Sequence, residues 1–329
     1  MAARRDFTRE SLAAGVRAGD RRALARAITL VENREPLAYE VVRDLYPETG
    51  GAYAIGITGP PGVGKSSLIS ALVRNVRSLD RSVGVISVDP SSPFSQGALL
   101  GDRIRLADHF LDPEVFIRSM GSRGHLGGLA EATLQALLVL DAAGKELVFL
   151  ETVGTGQGEV EVIGIADTVV LVLMPGSGDS IQALKAGIME IPDVIAINKS
   201  DHPAAKTMLN EVRSVLALDT ESDWQPPIVL TEAMRGENVP ELWEKIEEHR
   251  AFLESNGLLE QRRRENLAGE VFAVASSRAK EHLQRAVADD AELRRLLDEV
   301  QSRKLDPLTA VREIMEKVFN LEDEDGTRA

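Results

Sequence analysis

The stretch Gly59-Pro60-Pro61-Gly62-Val63-Gly64-Lys65-Ser66 satisfies every fixed position of the pattern G-x-x-x-x-G-K-[ST] and directly follows the apolar run Tyr53-Ala54-Ile55-Gly56-Ile57-Thr58. A strand that feeds such a loop and then a helix leaves few architectures open. The loop needs glycine at Gly59, Gly62 and Gly64 because backbone N–H groups must turn inward around phosphate oxygens, where a Cβ would obstruct them. Lys65 brings positive charge to the β- and γ-oxygens of a nucleoside triphosphate, and Ser66 is suited to set its hydroxyl on Mg²⁺. From Ser67 to Val73 the spacing is helical, so a helix N-terminus also faces the anion. The whole segment from Gly59 to Ser67, including Pro60, Pro61 and Val63, is therefore expected to bind nucleotide.

Between Ala52 and about Leu253, short apolar runs alternate with amphipathic stretches. The runs are Ala54–Thr58, Ser82–Val88, Val115–Arg118, Leu147–Leu150, Thr168–Leu173, Asp193–Ile197 and Pro227–Leu230. This predicts an α/β fold of the P-loop NTPase kind, with a mostly parallel central sheet and covering helices. Ahead of it, Leu24, Ile28 and Val31, then Val41, Val42 and Leu45, recur at helical spacing on either side of Pro36. After Asn256-Gly257 the pattern becomes long and charged, with apolar faces at Leu267, Val271 and Val274, then Leu293, Leu296 and Val300, then Val311, Ile314, Met315 and Val318. These helices fit core, coiled-coil or dimerisation elements, and their apolar faces, lying beyond what the sheet needs, suggest an intersubunit role. The expected organisation is an N-terminal helical arm over 1–50, the P-loop domain over 51–255 and a C-terminal helical dimerisation arm over 256–329.

Composition narrows the function. A formal net charge of -14 argues against a general nucleic-acid or anionic-membrane partner, and no apolar run approaches the length of a membrane helix. The Arg-rich start lacks the apolar core of a signal peptide, so a cytoplasmic protein is expected. The 329 residues include no cysteine, which excludes disulfides, thiolate metal sites and a Cys nucleophile. The run Arg262-Arg263-Arg264 reads as a solvated helix face.

Three further motifs refine the ligand. Val194-Ile195-Ala196-Ile197 runs into Asn198-Lys199-Ser200-Asp201, an N-K-x-D match at the carboxyl end of a strand, the edge where open α/β sheets bind ligands. A carboxylate at Asp201 can accept from both the ring N–H and the exocyclic amine of guanine, a donor pair that adenine lacks, so GTP and GDP are the expected nucleotides. In Leu147-Val148-Phe149-Leu150-Glu151-Thr152-Val153-Gly154, Glu151 is placed to serve Mg²⁺ and Gly154 to offer its N–H to the γ-phosphate. The following Thr155-Gly156-Gln157-Gly158-Glu159 is polar and Gly-rich, suited to change with nucleotide state. Val85-Ile86-Ser87-Val88-Asp89 is again a strand ending in Asp, and a polar loop then reaches Asp102, so both Asp89 and Asp102 are candidate metal carboxylates. Enough chain separates Asp89 from Glu151 for a strand and a helix, so their strands are joined by a crossover and run parallel.

With these residues in place the chain resembles the MeaB/ArgK family of P-loop GTPases, of the SIMIBI branch and related to the human methylmalonic aciduria type A protein. The resemblance rests on Gly59 to Ser66, Val88 to Pro93, Gly101 to Arg105, Arg123 to Leu129, Glu151 to Glu161, Met174 to Lys185 and Asn198 to Asp201. It implies a homodimeric metallochaperone-type GTPase that attends an adenosylcobalamin-dependent acyl-CoA mutase, typically methylmalonyl-CoA mutase. Such a protein gates cofactor loading from an adenosyltransferase and protects the mutase; adenosylcobalamin belongs to the mutase. Carried over by position, Lys65 and Ser66 hold phosphate and Mg²⁺, Asp89, Asp102 and Glu151 serve the metal, and Asn198, Lys199 and Asp201 read guanine. The loop from Met174 to Lys185 resembles the family's third switch, with Asp179 and Lys185, like Gln157 and Glu159, coupling nucleotide state to the mutase. Lys65, Gln157 and Lys185 are the catalytic candidates. Where many GTPases carry Ser-Ala-Lys, this chain has Thr231-Glu232-Ala233, whose base contact would run through backbone N–H.

Rival readings are a metal-insertion GTPase, disfavoured by the missing cysteines and five scattered histidines, and a kinase acting on a periplasmic transport-binding protein, disfavoured by Asp201. A deviant-Walker ATPase would need a second lysine early in the loop, where Pro60 stands.

Overall fold

The computed structural model describes residues 7–89, 106–121, 126–152, 164–176, 192–217 and 223–319. Three helices come first: α1 (Arg9–Arg17), α2 (Arg21–Glu32) and α3 (Pro36–Leu45). Asp20 caps α2 by accepting from the N–H groups of Arg22 and Ala23, and Pro36 opens α3 at the position where its missing N–H costs nothing. The strands are β1 (Tyr53–Thr58), β2 (Val83–Asp89), β3 (Val115–Gly121), β4 (Leu147–Glu151), β5 (Thr168–Leu173), β6 (Val194–Ile197) and β7 (Ile228–Leu230). Helix α4 (Lys65–Arg77) follows β1 and α5 (Leu126–Ala142) precedes β4. Then come α6 (Ala205–Leu216), α7 (Val239–Ser255), α8 (Leu258–Asp289), α9 (Ala291–Gln301) and α10 (Pro307–Phe319). All seven expected strands are present.

They form one sheet in the order β3-β2-β4-β1-β5-β6-β7, with every described pairing parallel. The crossover expected between Asp89 and Glu151 is observed: β2 and β4 are parallel neighbours, with β3 and α5 intervening in the chain. Around β1 the connections run first to one side and later to the other, which opens a crevice at the strands' carboxyl ends.

Period-two alternation sorts the strand residues between two apolar layers. On one face Ile55, Ile57, Val85, Phe149, Val170 and Val172 meet Leu68, Ile69, Leu72 and Val76 of α4 and Leu242, Trp243 and Ile246 of α7. On the other, Ala54, Ile86, Val88, Val148 and Leu150 meet Ala136, Val139 and Leu140 of α5, with Leu12, Leu24, Ile28, Val31, Val41 and Leu45 of the N-terminal helices in the same cluster. Those helices cover the sheet; Arg118 of β3 also pairs with Glu32 of α2. Leu171, Leu173, Ile195 and Ile197 close the sheet against Met208 and Val212 of α6.

The chain divides into two compact units within α8, residues 1–270 and 271–329. In the second, Asp290 caps α9 through the N–H groups of Glu292 and Leu293 and is tied to α10 by Lys317 at 2.9 Å.

The arginine run departs from the expectation of a solvated face. Arg262 forks onto Asp193 at 2.9 and 2.8 Å, Arg263 forks onto Asp167 at 2.8 Å, and of the three only Arg264 is exposed. The physical reason lies at the amino ends of β5 and β6, where the Asp167 and Asp193 carboxylates are largely withdrawn from solvent and need fixed cations. Trp224 packs there too, its Nε1 donating to the Asp193 carbonyl at 2.7 Å.

Candidate functional site

The phosphate loop joins β1, at the centre of the sheet, to α4. Gly59 has φ 139° and a Cβ built there would lie 2.1 Å from the Val172 carbonyl oxygen of β5; Gly64, with φ 96°, would put one 2.5 Å from Asn198 Nδ2. Neither position can carry a side chain without displacing a neighbour. Lys65, 7% exposed, turns its Nζ back onto the carbonyls of Gly59 at 2.5 Å and Pro60 at 3.1 Å, so its charge sits at the loop's mouth.

Behind the loop stands a buried carboxylate. Register places Glu151 beside Ile57 on one side and Ser87 on the other. Its Oε1 accepts from the Ser66 hydroxyl at 2.5 Å and its Oε2 from the Ser87 hydroxyl at 2.8 Å. Thr152 continues the edge, its N–H donating to Ile57 O at 3.2 Å. Ser66 and Glu151 thus form an oxygen-only donor pair beside the phosphate loop, of the kind Mg²⁺ takes. The sequence reading missed Ser87; a lone polar residue facing a carboxylate-bearing neighbour strand was its only trace. Asp89 ends β2, and its side chain, with Asp102, Gly154, Gln157, Glu159, Asp179 and Lys185, lies outside the described residues.

The N-K-x-D segment is stitched to both neighbouring loops. Asn198, 2% exposed, donates from Nδ2 to Val63 O at 2.8 Å, and its Oδ1 accepts from Ala233 N at 3.1 Å and Thr231 Oγ1 at 3.4 Å. Lys199 takes the left-handed conformation at φ 58° and donates from Nζ to Gly62 O at 2.9 Å. Its Nζ also meets Met174 Sδ at 3.1 Å, a contact the sequence did not suggest. Ser200 N donates to Thr231 O at 3.0 Å. Asp201 follows with its carboxylate exposed. The Thr231-Glu232-Ala233 loop is therefore fixed by Asn198, and Glu232 turns inward to accept from Arg235 N at 2.7 Å.

A parallel sheet with a phosphate loop after its central strand, a buried carboxylate on the adjacent strand and an N-K-x-D loop tied to that phosphate loop defines a P-loop GTPase. The comparisons with known proteins agree. The family model described as methylmalonyl Co-A mutase-associated GTPase MeaB matches residues 24–288, and the chain belongs to that family. A homologue from Pyrococcus abyssi is 48% identical over 92% of this chain and 94% of its own length. The GTPase ArgK of Escherichia coli is 33% identical over 92% of this chain and 94% of its own. The mouse mitochondrial methylmalonic aciduria type A homolog is 32% identical over 77% of this chain and 66% of its own. Among solved structures, a protein described as LAO/AO transport system kinase superposes with a TM-score of 0.72 at 28% identity, covering 97% of this chain and 100% of that one. The protein binds guanine nucleotide and hydrolyses GTP, as a member of this family.

Among the described residues no helix is long and apolar enough to cross a membrane.

Proposed function

We propose that this GTPase is the chaperone of an adenosylcobalamin-dependent acyl-CoA mutase, most directly methylmalonyl-CoA mutase. It gates cofactor loading from an adenosyltransferase and protects or reactivates the mutase, working as a cytoplasmic homodimer whose C-terminal helices join the subunits. The observation that carries this reading is the match of residues 24–288 to a family described as mutase-associated. Adenosylcobalamin is held by the mutase.

In this reading the N–H groups from Gly59 to Ser67 cradle the phosphates and Lys65 balances charge at the γ-phosphate as water attacks in line. Ser66, Glu151, Asp89 and Asp102 would hold Mg²⁺, which would supply positive charge against the phosphate oxygens. Gly154 senses the γ-phosphate, Gln157 orients water, and Lys185 adds positive charge. Glu159 and Asp179 relay nucleotide state to the mutase. Asn198, Lys199 and Asp201 read guanine, with Thr231, Glu232 and Ala233 closing that site through backbone groups.

Mixing the protein with candidate apo-mutases should raise GTP turnover and yield a complex by size-exclusion chromatography. Absence of both with every cobalamin mutase tried would end the chaperone reading and leave the GTPase intact. For the base site, Asp201→Asn should weaken GDP binding roughly 100-fold, since two hydrogen bonds to a charged acceptor are lost, and should gain xanthosine nucleotide. Unchanged preference would refute the role of Asp201. The solved relative is described as a transport system kinase, and turnover of ATP equal to that of GTP, with phosphate passing to a binding protein, would favour that second reading.

A further inference from the structure

The face of the sheet that meets α4 changes character at a single rung. Along the neighbouring strands β2 and β4 the register pairs Val83 with Leu147, Val85 with Phe149 and then Ser87 with Glu151. The first two pairs belong to the apolar layer under α4, whereas the third is polar and still buried. A valine at position 87 would continue that layer, so apolar packing gives no reason for a hydroxyl there.

The reason lies in the carboxylate. Ser87 Oγ donates to Glu151 Oε2 at 2.8 Å and Ser66 Oγ donates to Oε1 at 2.5 Å, so hydroxyls from two different elements hold the two oxygens of one group. The two serines are not equivalent. Ser66 stands in the first turn of α4 beside Lys65, and a hydroxyl that donates its proton still has lone pairs to offer a cation. Ser87 belongs to a strand paired on both sides, to β3 and to β4, which makes its Oγ a fixed point. The last torsion of a glutamate is soft, and a fixed donor sets it.

We infer that Ser87 is a positioning residue for Mg²⁺: by fixing Glu151 Oε2 it keeps that carboxylate oriented to serve the cation together with Ser66. Ser87 acts through Glu151 and touches neither the ion nor the nucleotide. The inference rests on the reading of Ser66 and Glu151 as metal-site residues. Groups that orient metal ligands commonly govern affinity for the ion by roughly 10- to 100-fold.

The measurement is the Mg²⁺ concentration that half-maximally tightens binding of a fluorescent GDP. In Ser87→Ala this midpoint should rise roughly tenfold, while GDP affinity with Mg²⁺ chelated stays as in the wild type. Ser87→Thr and Ser87→Val have the same shape and differ in the hydroxyl, so the threonine variant should have a midpoint several-fold below that of the valine variant. Glu151→Gln is the control for the metal reading and should raise the midpoint at least as far as Ser87→Ala. If Glu151→Gln raises it while Ser87→Ala does not, or if the threonine and valine variants share one midpoint, Ser87 merely satisfies a buried carboxylate and its positioning role is overturned. If Glu151→Gln leaves the midpoint unmoved, the metal reading of Glu151 falls, and the role of Ser87 with it.

Discussion

Gly59→Ala is expected to abolish nucleotide binding and to destabilise the protein by roughly 2–4 kcal/mol, combining a side chain at positive φ with overpacking of a closed site. The new Cβ would lie 2.1 Å from the carbonyl oxygen of Val172, a backbone atom of β5 that cannot rotate away. β5 would have to shift, and with it the pairing to β1 and β6 that sets the phosphate loop against the N-K-x-D loop. Gly64→Ala provides the contrast. There the Cβ meets Asn198 Nδ2 at 2.5 Å, a side-chain atom, so the fold can survive while the Asn198 bond to Val63 O is broken. Thermal unfolding with fluorescent GDP titration separates the two: Gly59→Ala should lose binding and most of the stability, Gly64→Ala should lose binding with the smaller stability loss that its own positive φ imposes. Equal stability losses in the two variants would refute the backbone argument.

That contrast also marks what a linear sequence can disclose. The need for glycine in the phosphate loop is local and was legible, as were the seven strands, because each is a short apolar run bounded by turn or helix patterns. The crossover between Asp89 and Glu151 was legible from chain length alone. What closes the site was less so. Ser87 reaches Glu151 only because β2 and β4 are neighbours, and Met174 meets Lys199 only because β5 and β6 are. Such contacts depend on strand order, which residue spacing does not encode.

The arginine run shows the same limit from the opposite side. Seen as a string, Arg262-Arg263-Arg264 in an acidic chain looks solvated. In the fold, two of the three pair with carboxylates that stand just before distant strands, Asp193 and Asp167. The first turns of α8 are thereby fastened to the amino ends of β5 and β6, opposite the nucleotide crevice. The charge pattern was visible, but its partners were 69 and 96 residues away.

Asp193→Ala should therefore be the most damaging change away from the nucleotide, costing about 3–5 kcal/mol as expected when one partner of a buried pair is removed. The Asp193 carboxylate accepts from both Arg262 terminal nitrogens and from Val169 N at 2.7 Å, and lies 3.3 Å from His249 Nε2. The His249 ring, 1% exposed, shares its Nδ1 with the Thr168 hydroxyl at 2.8 Å, which in turn meets the Tyr53 hydroxyl at 2.6 Å. Burial holds the Arg262 guanidinium back, but Asp193 more than offsets this and raises its pKa, while burial drives His249 down to about 4. The sign for pH follows. Below the ordinary histidine value of 6.5 the unfolded chain takes up a proton that the folded chain refuses, so stability falls from there until the folded ring also protonates near 4. That loss amounts to roughly 3 kcal/mol in all. Denaturant melts between pH 7 and 4, followed by the fluorescence of Trp224, whose ring centroid lies 4.9 Å from that of His249, should show this slope in the wild type. It should be largely missing in His249→Gln. A slope of equal size in both proteins would mean that acid sensitivity resides elsewhere, and a loss below about 1 kcal/mol in Asp193→Ala would show that Arg262 is held by its surroundings without the carboxylate.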